Sequence, residues 1–272
     1  MKSAVFQYAG CKTAQQALEA LSASEDMGKL CSGTQSLGPM LNLRLVQVDQ
    51  LIDVSRVDSM LGFELGDTAL RVGAAVTHAR IEDGALPDVT HGLLPSVAAT
   101  IAYRAVRNRG TLGGSLAHAD PAADWVSTMC LLGAGIVVQS RNGERTVPAT
   151  EFFEGPFTTQ LQLDELIVAV QIPHFGTNAR WAYRKQCRKP GEFAEALSGI
   201  WVDAERGIGR LVLRGLDRMP YVVEGIAAVD AMRDPQSLGQ TLDTIGLEDP
   251  YERQLLKAMV RRAFIDLDAF KP

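Results

Sequence analysis

Apolar residues recur along this chain with two periods, and the longer period predicts helices. The capping box Thr13-Ala14-Gln15-Gln16 precedes apolar residues at helical spacing and indicates a helix that ends near Leu21. The segment 121–132 shows the same spacing, with Asp120 as the expected N-cap, Pro121 at its first position and Gly133 after its end. The remaining helices and helical turns are predicted at 77–83, 95–103, 223–232 and 250–267.

Short apolar runs between turn residues predict strands. The pairs Gly66-Asp67 and Asn142-Gly143 each separate two such runs and indicate hairpins. We predict strands at 29–31, 51–54, 61–65, 69–72, 136–139, 146–147, 165–172, 181–187, 197–204 and 208–213. This order favours an α+β fold. We expect a first domain over 1–175, with subdomains at about 1–55 and 56–175, and a smaller C-terminal domain over 176–272 of three antiparallel strands plus helices.

Composition narrows the class of protein. With 272 residues, 46% hydrophobic residues and a net charge of −5, the chain suits a folded enzyme without a nucleic-acid-binding surface or a membrane span. The N-terminal segment has no signal-peptide core, so we expect a cytoplasmic protein. The chain has no C-x-x-C pair and its histidines lack metal-ligand spacing, so we expect no metal site. The residues considered were Cys11, Cys31, Cys130, Cys187, His78, His91, His118 and His174.

One stretch predicts an anion-binding site. Residues 107–124 read RNRGTLGGSLAHADPAAD and join cations, paired glycines and an expected helix start. Glycines let the backbone approach a ligand closely, and free amides with a helix N-terminus favour negative charge. The cluster of Arg104, Arg107 and Arg109 beside these glycines strengthens the expectation of a phosphate. No G-x-G-x-x-G follows a strand and no Walker lysine motif is present, which excludes a doubly wound nucleotide site.

This stretch resembles the FAD-binding signature of the flavin subunit of molybdenum hydroxylases, the family of xanthine, carbon monoxide and N-heterocycle dehydrogenases. A second segment agrees, because residues 30–45, LCSGTQSLGPMLNLRL, are similar to that family's first flavin loop. The resemblance spans essentially the whole chain, and the first 125 residues are its most specific part. It implies a two-part, PCMH-like FAD-binding module followed by the smaller C-terminal domain.

The resemblance also implies site residues. It would place the FAD diphosphate between two loops whose residues are Ser32, Gly33, Thr34, Gln35, Ser36, Thr111, Leu112, Gly113, Gly114 and Ser115. Leu30 and Cys31 would lie alongside, and Ile101 would back the flavin ring. Asp124 matches a carboxylate that bonds flavin hydroxyls, Ile167 an apolar residue against the cofactor, and Lys185 a lysine facing the isoalloxazine. The resemblance implies no catalytic acid or base in this chain.

The partners and cofactors are also implied by the resemblance. A large subunit would carry a molybdenum-pterin cofactor, a small subunit would carry two 2Fe-2S clusters, and the assembly would be a dimer of heterotrimers. FAD in this chain would pass electrons to an external acceptor such as NAD, quinone or oxygen. Two other functions stay open, a free-standing FAD-dependent oxidase and a flavin-free assembly subunit.

Two positions depart from the family pattern. Thr34 stands where many relatives have glycine, and its branched Cβ resists a positive φ, although its hydroxyl can donate to phosphate. Glu192 stands where an aspartate is usual, in a segment, 188–194, that resembles a loop over the flavin.

Overall fold

The computed structural model describes residues 2–24, 27–216 and 218–270. In chain order its strands are β1 (Gln7–Gly10), β2 (Gly28–Cys31), β3 (Gln50–Asp53), β4 (Phe63–Leu65), β5 (Ala69–Gly73), β6 (Gly135–Ser140), β7 (Gly143–Pro148), β8 (Phe153–Gly155), β9 (Thr158–Thr159), β10 (Leu166–Pro173), β11 (Arg180–Gln186), β12 (Ala196–Asp203), β13 (Ile208–Arg214) and β14 (Tyr221–Glu224). Its helices are α1 (Ala14–Ala23), α2 (Leu37–Asn42), α3 (His78–Glu82), α4 (Leu93–Ala99), α5 (Arg104–Arg107), α6 (Leu112–His118), α7 (Asp124–Leu132), α8 (Ala149–Phe152), α9 (Ile226–Ala231), α10 (Pro235–Thr244) and α11 (Pro250–Ala269).

The N-terminal part of the chain forms a parallel sheet of order β1-β3-β2. Its helix α1 begins at the capping box, since Thr13 accepts from the Gln16 amide and the Gln16 side chain accepts from the Thr13 amide. Strands β2 and β3 confirm the expected strands, whereas β1 was not predicted. Loop 1, residues 32–36, leaves the carboxyl end of β2 and enters α2.

A five-stranded antiparallel sheet of order β4-β5-β10-β6-β7 follows, with β8 and β9 as a separate small hairpin. Both predicted hairpins, β4–β5 and β6–β7, are present. Helices α3 to α7 are inserted between β5 and β6 and carry most of the motif that indicated an anion site. Strands β5 and β6 of this sheet therefore flank one long insertion that contains helices α3 to α7.

The C-terminal part is an antiparallel sheet of order β11-β12-β13-β14 with α9, α10 and α11. This sheet has four strands, one more than the three that we expected, and the additional strand is β14. The predicted helix at 223–232 was wrong at its start, because β-branched Val222 and Val223 pair with β13 and Gly225, at φ +97°, separates strand from helix. Helix α10 was not predicted, although Asp234 caps it and Pro235 opens it.

Two helix starts near the motif also differ from expectation. Asp120 does not cap a helix; its carboxylate accepts from the Ala122 amide in a turn, and α7 begins at Asp124. The helix that begins inside the motif is α6, with Thr111 as its N-cap. The predicted helix at 95–103 ends early, because α4 stops at Ala99 and the chain turns through Ala102 at φ +43°.

The main apolar core includes side chains on both sides of residue 175, from Cys11 to Val212. It contains side chains of the five-stranded sheet and α7 together with Leu197, Trp201 and Val212 of the C-terminal sheet. A second core lies between the C-terminal sheet and its helices, chiefly Leu256, Met259 and Phe264 of α11. No helix in the described part of the chain is both long and apolar enough to cross a bilayer.

Candidate functional site

Loop 1 presents uncommitted hydrogen-bond donors. Within the described ranges, the amide N–H groups of Gly33, Thr34, Gln35 and Ser36 make no hydrogen bond to protein. The Ser32 Oγ is buried and also lacks a partner among the described residues. Thr34 adopts φ +57°, a left-handed conformation that is costly for a β-branched residue. Successive free amides and an unused hydroxyl form a concentrated set of donors for an anion.

Loop 2, residues 109–115, is held by the segment just before and at the start of α3. Amides of Leu112 and Gly113 donate to the Val76 and Ala74 carbonyl oxygens at 3.0 and 2.8 Å, and the His78 amide donates to Gly110 O at 2.9 Å. The Thr111 hydroxyl accepts from the Gly114 amide at 3.2 Å. These bonds fix the start of α6, on whose first turn the paired glycines lie.

The two loops touch backbone to backbone. A Cβ on Gly33 would lie 2.7 Å from the Gly110 Cα and nearer still to Arg109 O, so a side chain at Gly33 would force the loops apart. A Cβ on Gly113 would likewise lie 2.9 Å from Ala74 O. The structure therefore brings together the residues expected to hold a diphosphate, although they are about eighty positions apart in the sequence.

A buried polar cluster lies where α7 meets β11. The Asp124 carboxylate accepts from Lys185 Nζ at 2.9 Å and from the Tyr183 hydroxyl at 2.8 Å, and Lys185 Nζ also donates to Thr100 O at 3.0 Å. The Asp124 and Lys185 side chains are only 5% and 7% exposed. Burial, and then the Asp124 charge, raises the pKa of Tyr183 well above its usual value, so the phenol stays protonated and donates.

The other expected residues lie around these features. Ile101 follows α4 and is next to Thr100, whose carbonyl oxygen accepts from Lys185 Nζ. Ile101 is partly buried against the main core. Ile167 is buried in β10. The carbonyl oxygen of the next residue, Val168, accepts from the Ala74 amide, and the Ala74 carbonyl oxygen accepts from the Gly113 amide of loop 2. Leu30 is half-buried beside Cys31 at the end of β2. Burial, followed by Asp53, raises the pKa of the Cys31 thiol to about 12, so this cysteine is not a thiolate at neutral pH.

Comparison with known proteins assigns these features to a family. Residues 4–175 match the model of the FAD binding domain in molybdopterin dehydrogenase. The chain belongs to this family. It is 32% identical to the nicotine 6-hydroxylase medium subunit of Paenarthrobacter nicotinovorans over 99% of both chains. It is also 35% identical to the carbon monoxide dehydrogenase medium chain of Hydrogenophaga pseudoflava, over 70% of this chain and 67% of that protein.

Solved structures agree with this assignment to the molybdopterin dehydrogenase FAD-binding family. A chain of carbon monoxide dehydrogenase from Hydrogenophaga pseudoflava superposes with a TM-score of 0.86 at 29% identity, covering 99% of both chains. A chain of quinoline 2-oxidoreductase from Pseudomonas putida 86 gives 0.85 at 29% identity with the same coverage. The α+β fold is therefore that of an FAD-binding medium subunit, and the protein is a subunit of a molybdopterin-dependent oxidoreductase.

The donors of loop 1 fit the cofactor of this family. A diphosphate offers acceptor oxygens, and the four free amides and the orphaned Ser32 hydroxyl can each donate a hydrogen bond that no described residue accepts. The absence of a Cβ at Gly33 lets loop 2 close against them. A cavity of about 270 Å³ lined by Cys130, Met219 and Tyr221 contains no residue of either loop. The unused donors and the close contact of the two loops therefore fit an FAD diphosphate.

The expected role of the arginine cluster was wrong for two of its members. Arg104 pairs with Glu82 and Asp83, and Arg107 pairs with Glu82 at 2.8 Å. Arg107 also donates to Ile101 O and Ala102 O at 2.9 and 2.8 Å, which holds the turn at φ +43°. Of these three arginines, only Arg109 makes no ion pair with a described residue, and it is exposed. Neighbouring carboxylates therefore pair with Arg104 and Arg107, whereas Arg109 remains available to a ligand.

Sequence reasoning missed His78. Its Nδ1 accepts from the Trp125 indole N–H at 3.0 Å, and its ring packs against Gly110 of loop 2. Burial, and to a lesser extent Arg107, lowers the pKa of His78 to about 4, so the imidazole is neutral at physiological pH. The sequence offers no signal for this contact, because Trp125 lies 47 positions away and no metal or nucleophile spacing marks the histidine.

Proposed function

We propose that this chain is the FAD-carrying electron-transfer subunit of a heteromeric molybdenum hydroxylase. Electrons from 2Fe-2S clusters of a small partner subunit would reach this chain and leave to an external acceptor. A large partner subunit would carry the molybdenum-pterin cofactor, and the assembly would be a cytoplasmic dimer of heterotrimers. The observation that carries the proposal is the contact of loop 1, with its free donors, against loop 2 in a chain of the FAD-binding family.

The site residues have separate roles in this proposal. Residues 32–36 and 111–115 bind the diphosphate, with Leu30 and Cys31 closing one side of the loop. Asp124, Ile101, Ile167 and Lys185 form the wall toward the flavin and its hydroxyls. In the proposed division, residues 1–175 bind the cofactor and 176–272 supply Lys185 and the segment 188–194.

The electrostatics of the flavin wall follow from the buried pair. Lys185 does not offer a free positive charge, because Asp124 accepts from it at 2.9 Å within a nearly dry environment. The pair is close to neutral as a unit, so its effect on a nearby redox centre is smaller than that of an isolated ammonium. The Asp124 oxygens retain lone pairs and can still accept from a ligand hydroxyl.

Bound FAD would supply the ability to take up single electrons and release two. The residues assigned to the site would bind and orient it and exclude water on the side of the core, and none of them is assigned the role of a general base. A relay subunit needs no acid or base of its own, whereas a free-standing oxidase needs its own substrate pocket.

The test is the cofactor content of the purified native complex. We expect one FAD per copy of this chain, together with molybdenum and about four irons, as two 2Fe-2S clusters require. FAD without metals on an active isolated chain would favour the oxidase. Metals without FAD would leave only the flavin-free assembly role and would contradict the proposal.

A further inference from the structure

His78 occupies the point where three parts of the site converge. It is the first residue of α3, its amide donates to Gly110 O of loop 2 at 2.9 Å, and its Nδ1 accepts from Trp125 Nε1 at 3.0 Å. Trp125 follows Asp124 directly on the first turn of α7. A single histidine therefore connects loop 2 to α7, the helix that carries Asp124.

The imidazole also excludes any side chain from Gly110. A Cβ on that residue would lie 2.8 Å from both the Cδ2 and Nε2 atoms of His78. The Trp125 indole can only donate, so Nδ1 must be unprotonated and the ring proton must sit on Nε2. Residues His78 and Trp125 are 6% and 1% exposed, which leaves little room for either ring to turn.

We infer that His78 is a positioning residue for the FAD diphosphate. Through Gly110 and Trp125 it fixes the distance between loop 2 and Asp124, and so the spacing of the two ends of the cofactor site. This inference rests on the proposed function. A positioning role differs from a merely structural one because the His78 ring contacts loop 2 at Gly110 and accepts a hydrogen bond from Trp125, the residue next to Asp124.

The experiment compares three variants assembled into the complete complex. His78→Leu keeps a side chain of similar bulk but removes the acceptor for the Trp125 indole. His78→Asn places an amide oxygen near the position of Nδ1 and can restore that acceptor. His174→Leu is the matched control, because the buried Nε2 of His174 has no partner in the described part of the chain. FAD affinity is measured by flavin fluorescence, and the diphosphate environment by phosphorus NMR.

For His78→Leu we expect the FAD Kd to rise by about tenfold or more, as loss of a buried hydrogen-bond partner implies, with displaced phosphorus resonances. His78→Asn should stay within about threefold of the wild type, and His174→Leu should match it. If His78→Leu does not assemble, Trp125→Phe deletes the same hydrogen bond from the donor side and should produce the same rise in Kd and the same spectral displacement.

Two results would overturn the inference while leaving the proposed function intact. One is a wild-type Kd and unchanged phosphorus resonances in His78→Leu, even if the complex melts at a lower temperature. The other is a loss in His78→Asn as large as that in His78→Leu, which would show that the acceptor is not what matters. A wild-type complex that binds no FAD would refute the proposed function as well.

Discussion

Replacing Gly33 by alanine tests whether the two loops form one cradle. The added Cβ would lie 2.7 Å from the Gly110 Cα and nearer still to Arg109 O, whereas an ordinary contact is 3.4–4 Å, so the loops must separate by at least about 0.7 Å. The obstacle is backbone on both sides and no side-chain rotation can relieve it. Binding sites tolerate displacements of roughly 0.5 Å before their geometry fails.

The cost of Gly33→Ala follows from the donors that are displaced. A hydrogen bond to a charged group contributes about 1.5–3 kcal/mol, so losing even one raises the FAD Kd by roughly tenfold or more. The matched control is Gly62→Ala, because a Cβ at Gly62 meets nothing within 4 Å. Both variants are assembled into the complex, and retained FAD and Kd are measured. Equal FAD affinity in Gly33→Ala and the wild type would refute the reasoning.

Three further predictions follow from single contacts. Asp124→Asn leaves the Lys185 ammonium buried without its counter-ion, and we expect it to lower the unfolding free energy by about 3–5 kcal/mol; adding Lys185→Met should recover most of the loss in urea titrations, and no recovery would contradict the pairing. Thr34→Val keeps the side-chain shape but removes a hydroxyl without a protein partner in the described ranges, so FAD affinity should fall roughly tenfold and an unchanged Kd would exclude a bond to phosphate. At pH 8, iodoacetamide should label half-buried Cys187 in the folded chain but should label Cys31 only after denaturation, because the pKa of Cys31 is raised to about 12. Mass spectrometry of the peptides shows which cysteine is labelled, and labelling of Cys31 in the folded chain would contradict this expectation.

The sequence predicted features that depend on local chemistry. The Thr13 capping box, the Asn142-Gly143 hairpin and the Gly133 helix end are each specified by a few adjacent residues, and all are present. The two glycine loops were expected to close on a diphosphate from opposite sides, and the structure places their backbones in contact.

Features set by distant partners were not predictable in the same way. Arg107 lies beside the glycine motif in the sequence, but its guanidinium forms an ion pair with Glu82, 25 positions earlier. Asp124 and Lys185 were each expected to face the cofactor, yet they bond each other across 61 positions. Asp120 and Pro121 carry the residue types of a helix start, but Asp120 closes a turn instead and the helix begins at Asp124. Tertiary pairing decided the first two cases, whereas in the third the Asp120 carboxylate closes a local turn by accepting from the Ala122 amide.

The most direct test of electron relay through this chain compares the wild-type complex with a Gly33→Ala complex depleted of FAD. Both are reduced anaerobically in steps while the 2Fe-2S and flavin absorbances are followed, and then mixed with an electron acceptor. We expect the depleted complex to reduce its iron–sulfur clusters normally and to lose turnover with the acceptor, with both flavin signal and turnover restored by saturating FAD. Full acceptor turnover in the FAD-depleted complex would contradict the claim that electrons leave through this subunit.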